Sequence, residues 1–375
     1  MKRFLIFICF ALLFAFCGKG ESNYTVETIE GVRYIKNTAP QWGEKPEVEL
    51  KFILELGDNE SEIEDKYFYM PLDVVCDRDQ NIYVLEMTTC EIKKFSKNGE
   101  YITKFGRKGE GPGELTVATL FDISPDGNLV VLDAAKQRFQ HYSLDGKDAG
   151  SYPFTSLVTG YRVLSNGDIL GQTPIIPNAE NMPEIPGLEI SNNTFGIFDI
   201  DGNAKSRFGD AYEFSNEKAT EMFQDLTFTL TNNDEIFASF RFANAIDRYS
   251  RDGELVFRAE RPIFFPISDE LKINKRELPN GRVIEIPIKA PISFQIGIDS
   301  ENRIWVQTFN IETTILGQET EEIPYEFHVF DSEGVFLGVV PAPVKFMRMR
   351  IYGDNMFLTE SFEEMQVYKY RIVEK

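Results

Sequence analysis

The chain has 375 residues, 42% of them hydrophobic and 26% charged, with 32 Phe and a net charge of −21. That length supports one large core or two, and the Phe content suits strands packed face to face more than helices. An acidic surface of this size repels backbone phosphates, so no nucleic acid is expected as a partner.

Taken in chain order, the first element is not part of the fold. Lys2 and Arg3 precede an apolar run from Phe4 to Phe16, and Cys17 is followed by the polar Gly18-Lys19-Gly20-Glu21. The run is short for a bilayer span and right for a secretory segment. Its placement before Cys17 resembles a bacterial lipoprotein signal (1–17), which implies that Cys17 is the lipidated first residue of the mature chain and that the membrane is reached through a lipid anchor. The competing reading is an ordinary signal peptide with an incidental Cys. Residues 18–47 read as a tether, and 48–375 as the folded domain.

Six passes through one unit follow. Apolar strands enter after polar turns at Ile82-Tyr83-Val84-Leu85, Leu129-Val130-Val131-Leu132, Ile169-Leu170, Ile236-Phe237-Ala238, Ile304-Trp305-Val306 and Met356-Phe357-Leu358. A shorter strand precedes each, at Asp73–Cys76, Phe121–Ser124, Arg162–Leu164, Thr227–Leu230, Gln295–Ile298 and Met347–Ile351. Beyond each of the first five lies a third strand ending in an aromatic and a tight turn closed by Gly99, Gly146, Gly202, Gly253 or Gly334. The aromatics four residues earlier are Phe95, Tyr142, Phe198, Tyr249 and Phe330, with Ile92, Phe139, Phe195, Ile246 and Phe327 three further back. These glycines are 47, 56, 51 and 81 residues apart. Four strands per repeat of roughly 40–50 residues predict a β-propeller. Only the segments near 213–225 and 269–277 read as short helices.

The sixth unit ends at Val367–Val373 with three strands. The run Leu50-Lys51-Phe52-Ile53-Leu54-Glu55-Leu56-Gly57 reads as the missing fourth, since it has the form of the other fourth-strand ends, such as Lys104-Phe105-Gly106. An N-terminal strand completing the last blade closes the ring and removes its edges. The predicted fold is all-β, a six-bladed propeller.

Propeller geometry puts the turns between strands one and two, and three and four, on one face. The second-to-third and interblade connections lie on the other. Every long insertion falls on that second face: Gln172 to Asn193, Phe264 to Ile292 and Asn310 to Tyr325 (172–193, 264–292 and 310–325). Lengthened loops confined to one face of a repeat array mark a binding face.

The run Phe105-Gly106-Arg107-Lys108-Gly109-Glu110-Gly111-Pro112-Gly113-Glu114-Leu115 resembles the glycine-rich interblade loop of NHL-like six-bladed propeller proteins, in particular the exported propeller lipoproteins of Bacteroidetes and related bacteria. The likeness spans about 48–375 and implies secretion and a six-bladed fold. It implies no single activity, because propellers of this type include binding modules, lyases and lactonases. In the loop itself, Gly109, Gly111 and Gly113 permit a nest of backbone N–H groups beside Arg107 and Lys108, an anion cradle. The plainer reading is a structural interblade turn.

The second strands end in Glu86, Asp133, Thr173, Phe240, Thr308 and Glu360, at the channel mouth of the insertion face. Glu86, Asp133 and Glu360 belong to neighbouring blades and form a candidate carboxylate cluster. Ca²⁺ is the metal such oxygen ligands would take; otherwise no cofactor is expected. The plainer reading is structural hydrogen bonding, with Arg138 paired to Asp133. His141 and His328 fall at different offsets from their turn glycines, so a symmetric zinc site is not expected. Cys76 and Cys90 read as buried, unbridged thiols. No nucleophile motif is present, and catalytic residues are unknown.

The expected function is an exported, lipid-anchored cell-envelope propeller binding a ligand or protein partner (a protein, peptide or glycan) on its insertion face. The alternative is a metal-dependent hydrolase or lyase of the lactonase-like type, using a cation held by Glu86, Asp133 and Glu360. A third class is a scaffold within an envelope complex.

Overall fold

A computed structural model describes residues 22–57, 66–154, 156–175, 193–263, 271–277, 281–309 and 325–375. Six four-stranded antiparallel meanders surround a central axis, as the repeat predicts. Blade one comprises Pro71–Cys76, Ile82–Glu86, Glu91–Phe95 and Tyr101–Phe105; blade two Ala118–Ile123, Asn128–Asp133, Arg138–Ser143 and Asp148–Pro153; blade three Gly160–Val163, Ile169–Gln172, Phe195–Phe198 and Ala204–Phe208. Blade four comprises Leu226–Leu230, Ile236–Phe240, Ile246–Tyr249 and Leu255–Glu260; blade five Ser293–Ile298, Ile304–Phe309, Tyr325–Phe330 and Phe336–Pro341. Blade six is Arg348–Tyr352, Asn355–Glu360 and Gln366–Glu374, completed by Val48–Leu56 from the other end of the chain. That ladder runs antiparallel from Val367 opposite Leu56 to Glu374 opposite Val48.

The turn chemistry explains the repeat. Between third and fourth strands a Ser or Asp stands three residues before the Gly, and its carbonyl accepts the Gly N–H at 2.8–3.1 Å (Ser96, Ser143, Asp199, Ser250, Asp331). Its side chain accepts the next N–H, as Asp199 Oδ1 does from Asn203 at 2.8 Å and Asp331 Oδ1 from Val335 at 2.9 Å. The five glycines have φ between +82° and +87°, a region closed to most side chains. Gly146, Gly202, Gly253 and Gly334 also lack the room for one: a Cβ on Gly253 would lie 2.5 Å from the ring of Phe208, in the fourth strand of the preceding blade. At the closure, Gly99 of blade one faces Leu56 of the N-terminal strand less tightly, a Cβ there lying 3.2 Å from its side chain.

The apolar residues form six clusters, one at each blade–blade junction, and the ring needs both walls of every junction. Leu56 packs with Val74, Ile82, Phe95 and Val367 between blades six and one. Val48 packs with Trp305, Phe327 and Tyr370 between blades five and six.

The expected tether over 18–47 is corrected across its described part. Tyr24–Ile29 and Val32–Asn37 form a hairpin whose second strand adds in parallel to Leu255–Glu260, extending blade four to six strands. Ile35 enters the junction between blades four and five. The chain then follows the outer edge of blade five, with Gln41 and Trp42 donating backbone N–H groups to Phe336 and Leu337. Trp42 lies on Gly338, where any Cβ would strike the indole. The helix expected in 213–225 is present as Glu217–Met222, capped by Asn216. The one expected in 269–277 is absent: Lys272–Glu277 pairs with Val283–Ile288 as a hairpin, the alternating pattern having outweighed helix propensity. Cys76 and Cys90 are free, and burial pushes the Cys76 thiol up to about 12.

Asn37 fixes the strap. Its side chain donates to Glu260 O (2.8 Å) and Gly334 O (3.0 Å) and accepts from Phe336 N (2.9 Å), and it is 4% exposed. Asn37→Ala leaves these backbone groups without their partner and is expected to cost about 2–4 kcal/mol, read as a lower urea midpoint with unchanged m.

Candidate functional site

Each sequence-predicted carboxylate closes a loop. Glu86 accepts the backbone N–H of Tyr69, Met70 and Thr88, each at 2.9 Å. Asp133 accepts from Thr116 and Val117 at 3.2 and 3.0 Å and pairs with Arg138 at 3.2 Å. Glu360 accepts from Phe362, Glu363, Glu364 and Met365. All three are buried. Their positions are equivalent, but their oxygens are spent on backbone donors. No group of three or more His, Cys, Asp or Glu side chains that could hold a metal ion occurs among the described residues. His141 and His328 are buried in separate blades, and His328 Nε2 lies 3.0 Å from Glu326 Oε1.

The glycine-rich loop is filled from within. Glu114 turns back to accept the Gly111 N–H at 2.8 Å and the Arg107 Nε–H at 2.6 Å. Gly109 N–H and Leu115 N–H bond across the loop to Leu115 O and Arg107 O. A Cβ on Gly109 would be driven into the Glu114 carboxylate. The bond from Gly111 and the pair with Arg107 together hold Glu114 below its ordinary value. The loop's own glutamate thus takes the place an anion would occupy. Lys108 forms a β-bridge with Leu115. Cys17 and most of the three insertions (176–192, 264–270, 278–280 and 310–324) lie outside the described residues.

The innermost strands carry the charges that sequence reading missed. With the apolar residues committed to the junctions, the axis is lined by Asp122, Arg162, Thr227, Thr229, Gln295, Arg348 and Arg350. The channel opens into a cavity of about 410 Å³ at the tight-turn face and one of about 180 Å³ at the insertion face. A third cavity, about 560 Å³, lies away from the axis at the tight-turn face between blades six and one, lined by Cys76, Asp77, Arg78, Asp354, Lys369 and Arg371. Glu86, Asp133 and Glu360 line none of them.

Two kinds of arginine face the axis. Arg350 is paired bidentately: its Nε donates to Asp73 Oδ1 at 2.8 Å and its Nη2 to Oδ2 at 2.5 Å, the two side chains being 7% and 0% exposed. Burial pushes the Asp73 carboxyl up, but Arg350 and Arg348 outweigh it and hold it below 3.8. Arg162 and Arg348 make no ion pair among the described residues. Arg162 Nη1 donates to Tyr161 O at 2.9 Å, and Arg348 Nε to Leu72 O at 3.2 Å. Burial lowers both, Arg162 to about 10. Asp122 gives its oxygens to Ile123 N and Val163 N. A single charge inside an apolar first strand, as in Leu72-Asp73-Val74 or Tyr161-Arg162-Val163, was the available signal.

These features define a six-bladed propeller with a polar, arginine-lined channel. A family described as a 6-bladed beta-propeller matches residues 62–156. No curated protein sequence matches the chain. Among solved structures, a "Putative exported protein" of Bacteroides fragilis is similar at TM-score 0.56 and 13% identity, covering 91% of this chain and 99% of that one. A member of the duf4221 family from Bacteroides vulgatus is similar at TM-score 0.58 and 13% identity, covering 88% and 99%. Virginiamycin B lyase from Staphylococcus aureus follows at TM-score 0.46 and 16% identity, covering 87% and 100%. At these identities the likeness is one of fold.

Asp73→Asn strands the Arg350 guanidinium without its counter-charge, and a loss of about 3–5 kcal/mol is expected in urea denaturation. Because the folded carboxyl is held below 3.8, its contribution is complete above that pH and drains away as pH falls toward the lowered value. In acid titrations the wild type should therefore lose this increment below about pH 4, while Asp73→Asn has none to lose.

Proposed function

We propose that this protein is an exported, lipid-anchored propeller of the cell envelope that binds a ligand or protein partner at its insertion face. The observation that carries the reading is the state of that face. Its channel mouth is an open cavity lined by Arg162 and Arg348, which have no ion-pair partner among the described residues, while the carboxylates that catalysis would need are engaged by backbone N–H groups. The second fact favours the binding module over the lactonase-like hydrolase.

The basic-apolar-Cys17 segment supports export and anchoring, as does the likeness to the Bacteroides fragilis protein described as exported. The strap adds a constraint on how the domain is held. Its first strand begins at Tyr24, seven residues after Cys17, and seven extended residues span at most about 25 Å. Tyr24 pairs with Asn37, whose strand runs parallel to Leu255–Glu260 toward the insertion face. A lipid on Cys17 therefore holds the insertion-face corner of blade four close to the bilayer, rather than suspending the domain on a long tether.

The test uses full-length protein. It should enter the detergent phase of fractionated cells, and Cys17→Ser should move it to the aqueous phase. On glycan and peptide arrays, the detergent-purified protein should bind a defined subset. Replacing 178–190 with a short Gly-Ser turn should weaken that binding at least tenfold without lowering the melting temperature. Aqueous partitioning of both forms removes the anchor, and binding indifferent to the loop removes the insertion face.

A further inference from the structure

We propose that the insertion-face end of the channel is an oxyanion site, with Arg162 and Arg348 holding a carboxylate or phosphate group of the ligand. The inference rests on the reading of that face as the binding face and specifies the chemistry it recognises.

Charge and geometry carry it. The chain is acidic overall, yet three arginines, Arg162, Arg241 and Arg348, converge on the 180 Å³ cavity. Among the described residues the one carboxylate in its lining, Asp225, is bound to Arg241 at 3.0 Å. Neither Arg162 nor Arg348 has a carboxylate partner within 4 Å among the described residues, and each donates to a backbone carbonyl, Tyr161 O and Leu72 O. A guanidinium carries five N–H donors in a planar fork that matches carboxylate and phosphate, so most of this capacity is directed at the cavity. Both arginines are half-buried, open to the channel and otherwise surrounded by protein. Burial lowers the affinity of each for its proton despite the attraction of Asp122 and Asp73 for Arg162 and of Asp73 for Arg348, and a bound oxyanion would offset that cost.

The neighbours shape the site. Arg350, further along the channel, is paired with Asp73, and Asp122, which attracts Arg162 from the tight-turn side, spends its oxygens on Ile123 N and Val163 N. Phe228 lies against Arg162 (5.7 Å) and Phe294 against Arg241 (4.5 Å), giving aromatic walls. Thr227, Gln172 and Gln295 supply hydrogen-bonding groups. At about 180 Å³ the cavity has room for an acidic group and a small adjoining moiety. The site therefore takes the acidic end of a ligand.

The experiment is a thermal melt of the full-length protein in detergent, at constant ionic strength in chloride, with phosphate, acetate or glucuronate added in turn. At ten times its Kd, an accepted anion should raise the melting temperature by about 3 °C. The rise should vanish in Arg162→Gln and Arg348→Gln and persist in Arg78→Gln on the opposite face. A rise with phosphate alone assigns a phosphate ligand, and a rise with the carboxylates alone a carboxylate ligand; either supports the site. No rise with any anion, or a rise unchanged in both variants, overturns it. If the variants fail to fold, selenate soaked into wild-type crystals should give an anomalous peak between the two guanidinium groups, and its absence there is equally decisive. Array binding that survives in Arg162→Gln and Arg348→Gln would remove this inference and leave the insertion-face reading standing.

Discussion

The pairing of Val48–Leu56 with Gln366–Glu374 is the contact on which the rest of the molecule depends. A propeller blade has two apolar faces, and neither is buried until a neighbour covers it. The core is therefore divided into six junctions, and a ring with one incomplete blade would leave Leu56 and Val48 out of the two junctions they help fill. Closure from the opposite chain end also removes the edge that a three-stranded last blade would offer to other chains. The strap strengthens the same device. By adding to blade four, crossing blade five and then completing blade six, residues 22–56 stitch half the ring together from outside.

The closing junction is tied at its inner rim as well. Arg350 of blade six pairs with Asp73 of blade one, Arg348 donates to Leu72 O, and Tyr352 Oη donates to Val74 O at 3.3 Å. Polar contacts near the axis and apolar contacts further out thus serve one interface. A buried ion pair gains little over a hydrophobic replacement, but it fixes register on the axis-facing side of the innermost strands, whose large residues such as Phe121, Tyr161 and Phe228 turn into the junctions. The channel follows from this division. With the apolar residues drawn into the junctions, the axis is left to charged and polar groups, and those without internal partners become available to a ligand.

Much of the fold was legible because the repeat has a physical cause. Gly99, Gly146, Gly202, Gly253 and Gly334 recur where a positive φ and contact with the previous blade coincide, and no other residue satisfies both. The run 50–57 was legible because it matches other fourth strands. The hairpin at Tyr24–Asn37 has no counterpart in the repeat, and its parallel attachment to blade four leaves no local signature, so it read as tether. At the site, Glu86, Asp133 and Glu360 stand at second-strand ends but line none of the cavities among the described residues, because whether a carboxylate faces a ligand or its own backbone depends on the following loop. Arg162 and Arg348 were passed over because a charge in a short strand acquires meaning only once six such strands surround an axis.

Native-state hydrogen exchange measures the closure most directly. If the N-terminal strand completes the ring, the amides of 48–56 should exchange with the same free energy as the inner strands of the other blades, in a single cooperative opening. Exchange of 48–56 at markedly lower free energy, with 367–374 still protected alongside the remaining blades, would contradict the account.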